Sequence, residues 1–404
     1  MRILVFNCGS SSLKFELIEI REQPGQAENP RRLATGTFEE IGPRTSIKMS
    51  DEGGHRLEQL APIADHRMAA VRTVDWLRQH GGIAIDAVAH RIVHGGEQVT
   101  EPARTTDTIV SALGDASEFA PLHNPPALAA IRAVGERLPG IPAVVVADTG
   151  FHRSLPPAAH NYAIPRSLAV RYGIRRFGFH GIGHAWMLER CAAMRATTPE
   201  MLNLITLHLG AGCSATAIRQ GRSVDTSMGF TPLEGLMMGT RSGDLDPAIF
   251  SFLAARENIS PDQVERILNH ESGLLGVSGV SADLREIQAN VEQNQQAALA
   301  VEMFCYRVRK YIGAYMAVLG RTDAIVFGGG IGEHSDSVRE RICSGLDPLG
   351  IIVNPERNRG ANGREACISE EHSPVAVYVV PLDEELYIAR AAARLLSEQD
   401  GPSD

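Results

Sequence analysis

Several things are scarce or missing in this chain. The six cysteines, Cys8, Cys191, Cys213, Cys305, Cys343 and Cys367, are scattered with no Cys-x-x-Cys spacing, so the sequence offers neither a zinc ligand pattern nor a disulfide framework. They read as reduced thiols, which suits a cytoplasmic protein. Basic residues are outnumbered, with a formal net charge of −9, which argues against a nucleic-acid partner while leaving room for a locally positive anion site. No apolar run approaches the ~18 residues of a membrane span, so no membrane partner is expected. The chain enters a strand at once, without a charged leader or signal segment, and is expected to stay where it is made. There is also no glycine-rich loop closing on Gly-Lys-Ser/Thr and no protein-kinase motif set, so any phosphoryl transfer would need other parts.

What is present begins with an apolar strand, Ile3-Leu4-Val5-Phe6, that runs into Asn7-Cys8-Gly9-Ser10-Ser11-Ser12 and resumes as Leu13-Lys14-Phe15. Glycine lets the backbone bend, the serines add hydroxyls, and the free N–H groups of a tight turn suit an anion such as phosphate. Taken alone, a Gly/Ser turn is more often an ordinary hairpin connection. Asn7 and Lys14 flank it, however, and a second turn of the kind occurs at His208-Leu209-Gly210-Ala211-Gly212-Cys213-Ser214.

At 404 residues the chain exceeds a single core, and two domains of roughly 150 to 200 residues are expected. Residues 21–32 read as a polar surface loop. Strands near 33–38 and 45–49, turning at Asp51-Glu52-Gly53-Gly54, complete a three-stranded opening meander. Asp65 is placed to cap a helix to about residue 79, with Met68, Val71, Val74 and Leu77 as its buried face. A strand over 87–92, helices near 107–119 and 125–137, and a buried strand 143–147 ending at Asp148 follow. The order resembles a ribonuclease-H-like half. After Thr149 the pattern restarts: a helix to about 196, strands 202–209 and 215–219, a long helix 295–319, strand 324–327 into Gly328-Gly329-Gly330-Ile331-Gly332-Glu333, strand 375–380, helix 384–396 and a polar tail. Duplication is the economical reading, with domains at 1–150, where the C-terminal helix 384–404 is expected to pack, and 151–383.

Two further stretches, Val280-Ser281-Ala282-Asp283-Leu284-Arg285 and the block from Thr226 through Pro232, Gly239 and Arg241 to Asp244, together with the two anion turns, closely resemble the acetate kinase family. The resemblance runs in order from Arg2 to about Arg390. It implies an α/β, duplicated ribonuclease-H-like fold of the actin, Hsp70 and sugar kinase superfamily, with two lobes around a nucleotide cleft, and it implies a homodimer. The activity implied is reversible transfer of the ATP γ-phosphate to acetate by direct in-line transfer, giving acetyl phosphate and ADP, with Mg2+ or Mn2+ as metal.

Carried over residue by residue, the resemblance makes Arg91 and Arg241 clamps for the phosphoryl group and carboxylate, Arg91 also contacting substrate. Arginine's planar fork suits both anions. His180 would donate to the phosphoryl oxygens, and Asn7 would touch the transferring phosphate. Asp148 and Glu384, with Asn7, form the metal set, at least partly through water. A helix-start preference is the competing reading of Glu384. Val93, Leu122, Phe179 and Pro232 would pocket the substrate methyl group. The nucleotide would fall to Ser10, Ser12, Lys14, His123, His208, Gly210, Gly212, Asp283, Leu284, Arg285, Gly329, Gly330, Ile331 and Gly332. His208 is divided between site and scaffold, while His94 and His184 read as structural.

The acceptor can also be argued from chemistry. A sugar hydroxyl needs a base to remove its proton, whereas acetate is already ionised at neutral pH and needs relief from repulsion between two anions, for which paired arginines are suited. Discrimination between acetate and propionate by a small pocket is worth only ~1 to 3 kcal/mol per methylene, so a propionate or other short-chain preference stays open. Departures cluster at the nucleotide end: Ala211 and His334 stand where the family usually has asparagine, as does Asp383 before Glu384, and Ile182-Gly183 replace Thr-Ser. A reading from another class is an actin-like nucleotide-binding scaffold without transfer.

Overall fold

The computed structural model describes residues 1–21, 30–80 and 84–399. Its contacts divide the chain into two compact units, one formed by residues 1–151 with 383–404, the other by 152–382.

The first unit is an eight-stranded mixed sheet. Its strands in chain order are β1 (Arg2–Cys8), β2 (Leu13–Glu19), β3 (Arg31–Glu39), β4 (Thr45–Asp51), β5 (Arg56–Ala61), β6 (Ala87–Ile92), the two-residue β7 (Ala103–Arg104) and β8 (Ala143–Ala147). In space they run β5-β4-β3-β2-β1-β6-β8-β7. The opening meander has five antiparallel strands rather than three, since β5 pairs with β4. Its sequence RLEQLA alternates exposed and half-buried positions with few large apolar residues, so it carries little strand signal. Most of the loop expected over 21–32 lies outside the described residues, but Arg31 and Arg32 belong to β3.

β1, β6 and β8 lie side by side and parallel, so the residues that end them reach one edge of the sheet. That edge carries Asn7, Arg91 and Asp148. The core is built from β1–β4, β6 and β8 with the helices His66–His80 and Asn124–Arg137, which pack on each other. Asp65 caps the first of these through Oδ1, which accepts from the Met68 backbone at 2.8 Å. The buried face matches the one the periodicity suggests only in part, at Val74 and Leu77. Ala69, Ala70, Thr73, Val74, Trp76 and Leu77 point inward, whereas Met68 is 45 % exposed, because small residues let the helix approach its neighbour closely. The helix Glu384–Gln399 lies against β1, β6 and β8 and buries Leu386, Ile388, Ala389, Ala392, Ala393 and Leu396.

The second unit is a six-stranded sheet of β9 (Asn203–Leu209), β10 (Cys213–Arg219), β11 (Arg222–Thr226), β12 (Ala324–Gly328), the two-residue β13 (Ala366–Cys367) and β14 (Ala376–Val379), ordered β11-β10-β9-β12-β14-β13. Here too the central pair is an antiparallel hairpin, β9 with β10, and a parallel strand, β12, joins β9 on its other side. The helix Gln295–Leu319 packs on β9 and β10 with Val301, Phe304, Val308, Ile312, Tyr315 and Leu319 buried, the face its 3.6-residue period marks. The helix Gly181–Met194 packs on β9 and β12.

Candidate active-site residues

In the first unit a guanidinium is framed by oxygens. Arg91 Nη2 donates to Asp148 Oδ2 at 2.6 Å and its Nε to Oδ1 at 3.4 Å, while Nη1 donates to Asn7 Oδ1 at 2.9 Å. Glu384 Oε2 lies 3.9 Å from Nε. Burial works against the Arg91 charge, but Asp148 and then Glu384 outweigh it and hold its pKa above the usual range. Asn7 is committed at both ends, its amide nitrogen donating to Glu385 Oε1 at 3.0 Å and Glu384 Oε2 at 3.4 Å. Thus three parallel strands and one helix start converge on one polar cluster, the arrangement expected where an α/β sheet presents a ligand.

The cluster extends sideways as alternating charges. Lys14 Nζ donates to Glu385 Oε2 at 2.9 Å and lies 3.2 Å from Glu16, which in turn pairs with Arg32 at 2.8 Å. Burial pushes the Glu385 carboxyl up, yet Lys14 and the Asn7 hydrogen bond bring it below its ordinary value. Arg32 also pairs with Asp383. The aspartate that departs from the family pattern keeps a structural task, since its Oδ1 accepts from the Leu386 backbone at 3.2 Å and caps the C-terminal helix. Glu385 and Glu16 were not singled out from the sequence. Nor was His66, whose Nε2 donates to the carbonyls of Gly9 at 2.9 Å and Ser12 at 3.2 Å and so fixes the opening turn. Apart from the Lys14–Glu16 pair on one strand, these bonds join residues distant in sequence, and nothing local signals them.

Of the remaining expected residues in this unit, Ser10 is exposed and Ser12 and His123 are half-buried. Val93 is buried, whereas Leu122 is 55 % exposed.

In the second unit the glycine turn between β9 and β10 has His180 and Arg241 beside it. A methyl group on Gly212 would lie 3.1 Å from His180 Cε1, 3.2 Å from its Nε2 and 3.3 Å from Arg241 Nη2. His180 has a φ of 56° at the start of the helix Gly181–Met194, a left-handed conformation that is uncommon outside glycine though histidine adopts it more readily than most residues. Its ring stacks on His208, centroids 4.1 Å apart, and its Nδ1 meets Ser214 Oγ at 2.9 Å. Arg241 Nη1 donates to the Pro232 carbonyl at 2.7 Å. No carboxylate pairs with Arg241 among the described residues, and burial, with only Cys213 as counterweight, lowers its pKa. The block around it is braced by Arg176, whose Nη1 donates to the carbonyls of Thr226, Ser227 and Met228, each at 3.1 Å, and whose Nη2 pairs with Glu234.

The two glycine turns of this unit are neighbours, because β9 and β12 are parallel and Gly328 pairs with His208. A methyl group on Gly210 would lie 3.8 Å from the Gly330 nitrogen. Gly329, Gly330, Ile331 and Gly332 open a short helix, Gly329–His334. Ala211, which lacks the family's amide, still accepts from the Gly239 nitrogen at 3.1 Å through its carbonyl. Asp283 caps the helix Leu284–Gln288, accepting from the Arg285 nitrogen at 2.8 Å, and its carboxylate takes the Arg285 guanidinium at 2.5 to 3.1 Å. Leu284 and Phe179 are buried and Pro232 is half-buried. His184, read as structural from the sequence, is fully buried and bonds to Ser214 and Thr206.

Each unit thus centres on an antiparallel strand pair joined by a glycine turn, with a parallel strand beside it, and the chain has the duplicated α/β fold of the actin, Hsp70 and sugar kinase class. It belongs to the acetokinase family, whose model matches residues 2–390. Among curated relatives, an acetate kinase of Solibacter usitatus is 45 % identical over the whole of both chains. Among solved structures, acetate kinase of Porphyromonas gingivalis aligns over 98 % of this chain and 99 % of its own, at 39 % identity and a TM-score of 0.90. A propionate kinase from Francisella tularensis aligns over 96 % and 98 %, at 36 % identity and a TM-score of 0.88. A fold shared with kinases named for both acids leaves the choice of acid to the pocket.

Proposed function

We propose that this chain is an acetate kinase, catalysing reversible transfer of the γ-phosphate of ATP to acetate to give acetyl phosphate and ADP. Family membership over nearly the full chain supports this, and one observation carries the chemistry. Arg241 is a half-buried cation without a carboxylate partner among the described residues, next to His180 and a bare glycine turn. A partly desolvated guanidinium with no counter-charge is suited to receive an anion.

In this reading Arg91 and Arg241 hold the carboxylate and the phosphoryl group and offset their mutual repulsion. His180 donates to the phosphoryl oxygens as charge spreads over them, and Asn7 contacts the same group. No general base is required, because the attacking oxygen is already anionic. Val93, Leu122, Phe179 and Pro232 are proposed to receive the methyl end. Ser10, Ser12, Lys14, His123, His208 and the glycine turns at 210–212 and 329–332, with residues 283–285, are proposed to hold the nucleotide.

A metal is proposed at Asp148 and Glu384. Both offer carboxylate oxygens, the ligands of a hard divalent cation, and because Arg91 bonds both Asp148 oxygens and lies 3.9 Å from Glu384, contact would run through the ion's own waters. Asn7, whose amide is engaged at both ends, is proposed to orient these groups. Mg2+ or Mn2+ held there would neutralise charge on the nucleotide phosphates. We further propose a cytoplasmic homodimer, tested by sedimentation equilibrium against the mass of one chain. Among the described residues no helix is long and apolar enough to cross a membrane.

Trapping acyl phosphate with hydroxylamine tests the reaction, with acetate, propionate and butyrate each offered ATP, GTP and pyrophosphate. Acetyl hydroxamate formed best from acetate and ATP is the expected result. Higher kcat/KM with propionate would move the assignment to a propionate kinase, and ATP binding without acyl phosphate from any acid would leave a nucleotide-binding scaffold. The several donors are included because Ala211, His334 and Asp383 stand at the nucleotide end.

A further inference from the structure

The hydroxyl of Ser214 lies between two imidazoles, 2.9 Å from His180 Nδ1 and 2.7 Å from His184 Nε2, and the other nitrogen of His184 meets Thr206 Oγ1 at 2.7 Å. Thr206, His184 and Ser214 are fully buried. We propose that Ser214 and His184 are positioning residues that fix the proton of His180 on Nε2, with Thr206 setting the direction of the chain of hydrogen bonds.

The direction follows from counting donors. A hydroxyl has one hydrogen to give, and a neutral imidazole has one N–H and one acceptor nitrogen. Among the described residues Thr206 Oγ1 has one hydrogen-bond partner, His184 Nδ1. Thr206 is wholly buried, so its hydroxyl hydrogen goes there or is left unsatisfied at a cost of about 1 to 3 kcal/mol. Accepting at Nδ1 places the single proton of His184 on Nε2, from which it is donated to Ser214 Oγ. Burial, and then the proximity of His152 and His208, lower the pKa of His184 far enough to keep it neutral, so it has one proton to place. Ser214 accepts from one side and gives its own hydrogen to His180 Nδ1. That nitrogen must then be bare, and the proton of His180 sits on Nε2, which lies 3.2 Å from where a methyl group on Gly212 would sit.

The reversed chain would start with an N–H at His180 Nδ1 and end with the Thr206 hydrogen pointing at nothing. It would also leave a lone pair on Nε2 facing an incoming phosphoryl oxygen, where repulsion would replace a hydrogen bond. Setting one ring nitrogen through the bond made by the other is a general means of selecting a histidine tautomer. None of the three supporting residues need touch a reacting atom for this to work.

The kinetic part of the test rests on the kinase reading, whereas the spectroscopic part does not. In protein labelled with 15N-histidine, with His180 assigned by comparison with His180→Gln, wild-type His180 is expected in the Nε2–H form from pH 7 to 8. Thr206→Val and Ser214→Ala are expected to give a mixture of tautomers. In Ser214→Ala, kcat should fall about tenfold at pH 8 with both KM values within about twofold. A proton on Nδ1 in wild type, an unchanged tautomer in Ser214→Ala, or a changed tautomer with kcat unaltered would each overturn the proposal. If Ser214→Ala does not fold, the wild-type and Thr206→Val spectra decide. If no acyl phosphate forms with any acid, the kinase reading fails while the spectra still test the hydrogen-bond chain.

Discussion

Residues with the same side chain do different work here according to what surrounds them. Arg91 is held among Asp148, Glu384 and Asn7, while half-buried Arg241 has no carboxylate partner among the described residues, so the two clamps differ in what an anion would find. Lysine has neither the planar fork nor the span of arginine, and Arg241→Lys is therefore expected to lower kcat by about 10² to 10³. ATP affinity, measured by calorimetry, should change by less than about threefold, and near-normal turnover would remove Arg241 from the mechanism. His90 makes a contrasting case. It stacks on Phe6, has no hydrogen-bond partner among the described residues, and burial depresses its pKa to about 3. The unfolded chain takes up a proton there below about 6.5 while the folded chain does not, so stability falls as pH drops from 6.5 toward 3 at about 1.4 kcal/mol per pH unit. Urea denaturation of His90→Leu should accordingly lose about 2 kcal/mol less than wild type between pH 7 and pH 5. The sequence marked Arg91 and Arg241 as candidates because each sits in a motif. It could not mark His90, because its burial is made by neighbours remote in the chain.

At the scale of elements, the glycine turns divide into those that hold the backbone and those that leave room. Gly329 has a φ of 77°, and a methyl group there would come within 2.6 Å of the Leu209 carbonyl oxygen. Gly329→Ala should cost about 2 kcal/mol or more of stability, read as a lowered Tm. A methyl group on Gly212 would first meet the ends of His180 and Arg241, at 3.1 to 3.3 Å. Gly212→Ala is therefore expected to keep its Tm within about 2 °C while losing activity, as a displacement of a few tenths of an ångström at a reacting group is costly. A Tm loss as large as that of Gly329→Ala would show that Gly212 is structural. Both turns were legible in the sequence, since each is a glycine-rich run that follows an apolar strand. Their different roles were not, because β9 and β12 lie more than a hundred residues apart and meet only through parallel pairing. The helix His66–His80 shows the same limit: its existence follows from the cap and the period, but its buried face was decided by the helix it packs against.

For the whole molecule, the chain returns at its end to the unit in which it began. The helix Glu384–Gln399 packs on β1, β6 and β8 and brings Glu384 and Glu385 to Asn7, Lys14 and Arg91. The two tryptophans report on the units separately, since Trp76 lies in the first and Trp186 in the second. In single-tryptophan variants, deleting residues 383–404 should abolish the cooperative unfolding transition seen by Trp76 while leaving one for Trp186. Equal loss in both, or in neither, would contradict the assignment of this helix to the first unit. The sequence by itself determined the α/β duplication, most elements and the family, because period, turn chemistry and motif spacing are properties of neighbouring residues. The tertiary structure alone decided that the opening turn is held by His66 and faced by Glu385, that Arg241 has no carboxylate partner among the described residues, and that Thr206, His184 and Ser214 line up behind His180. Those facts depend on strand order and burial, which bring together side chains whose positions in the chain carry no record of each other.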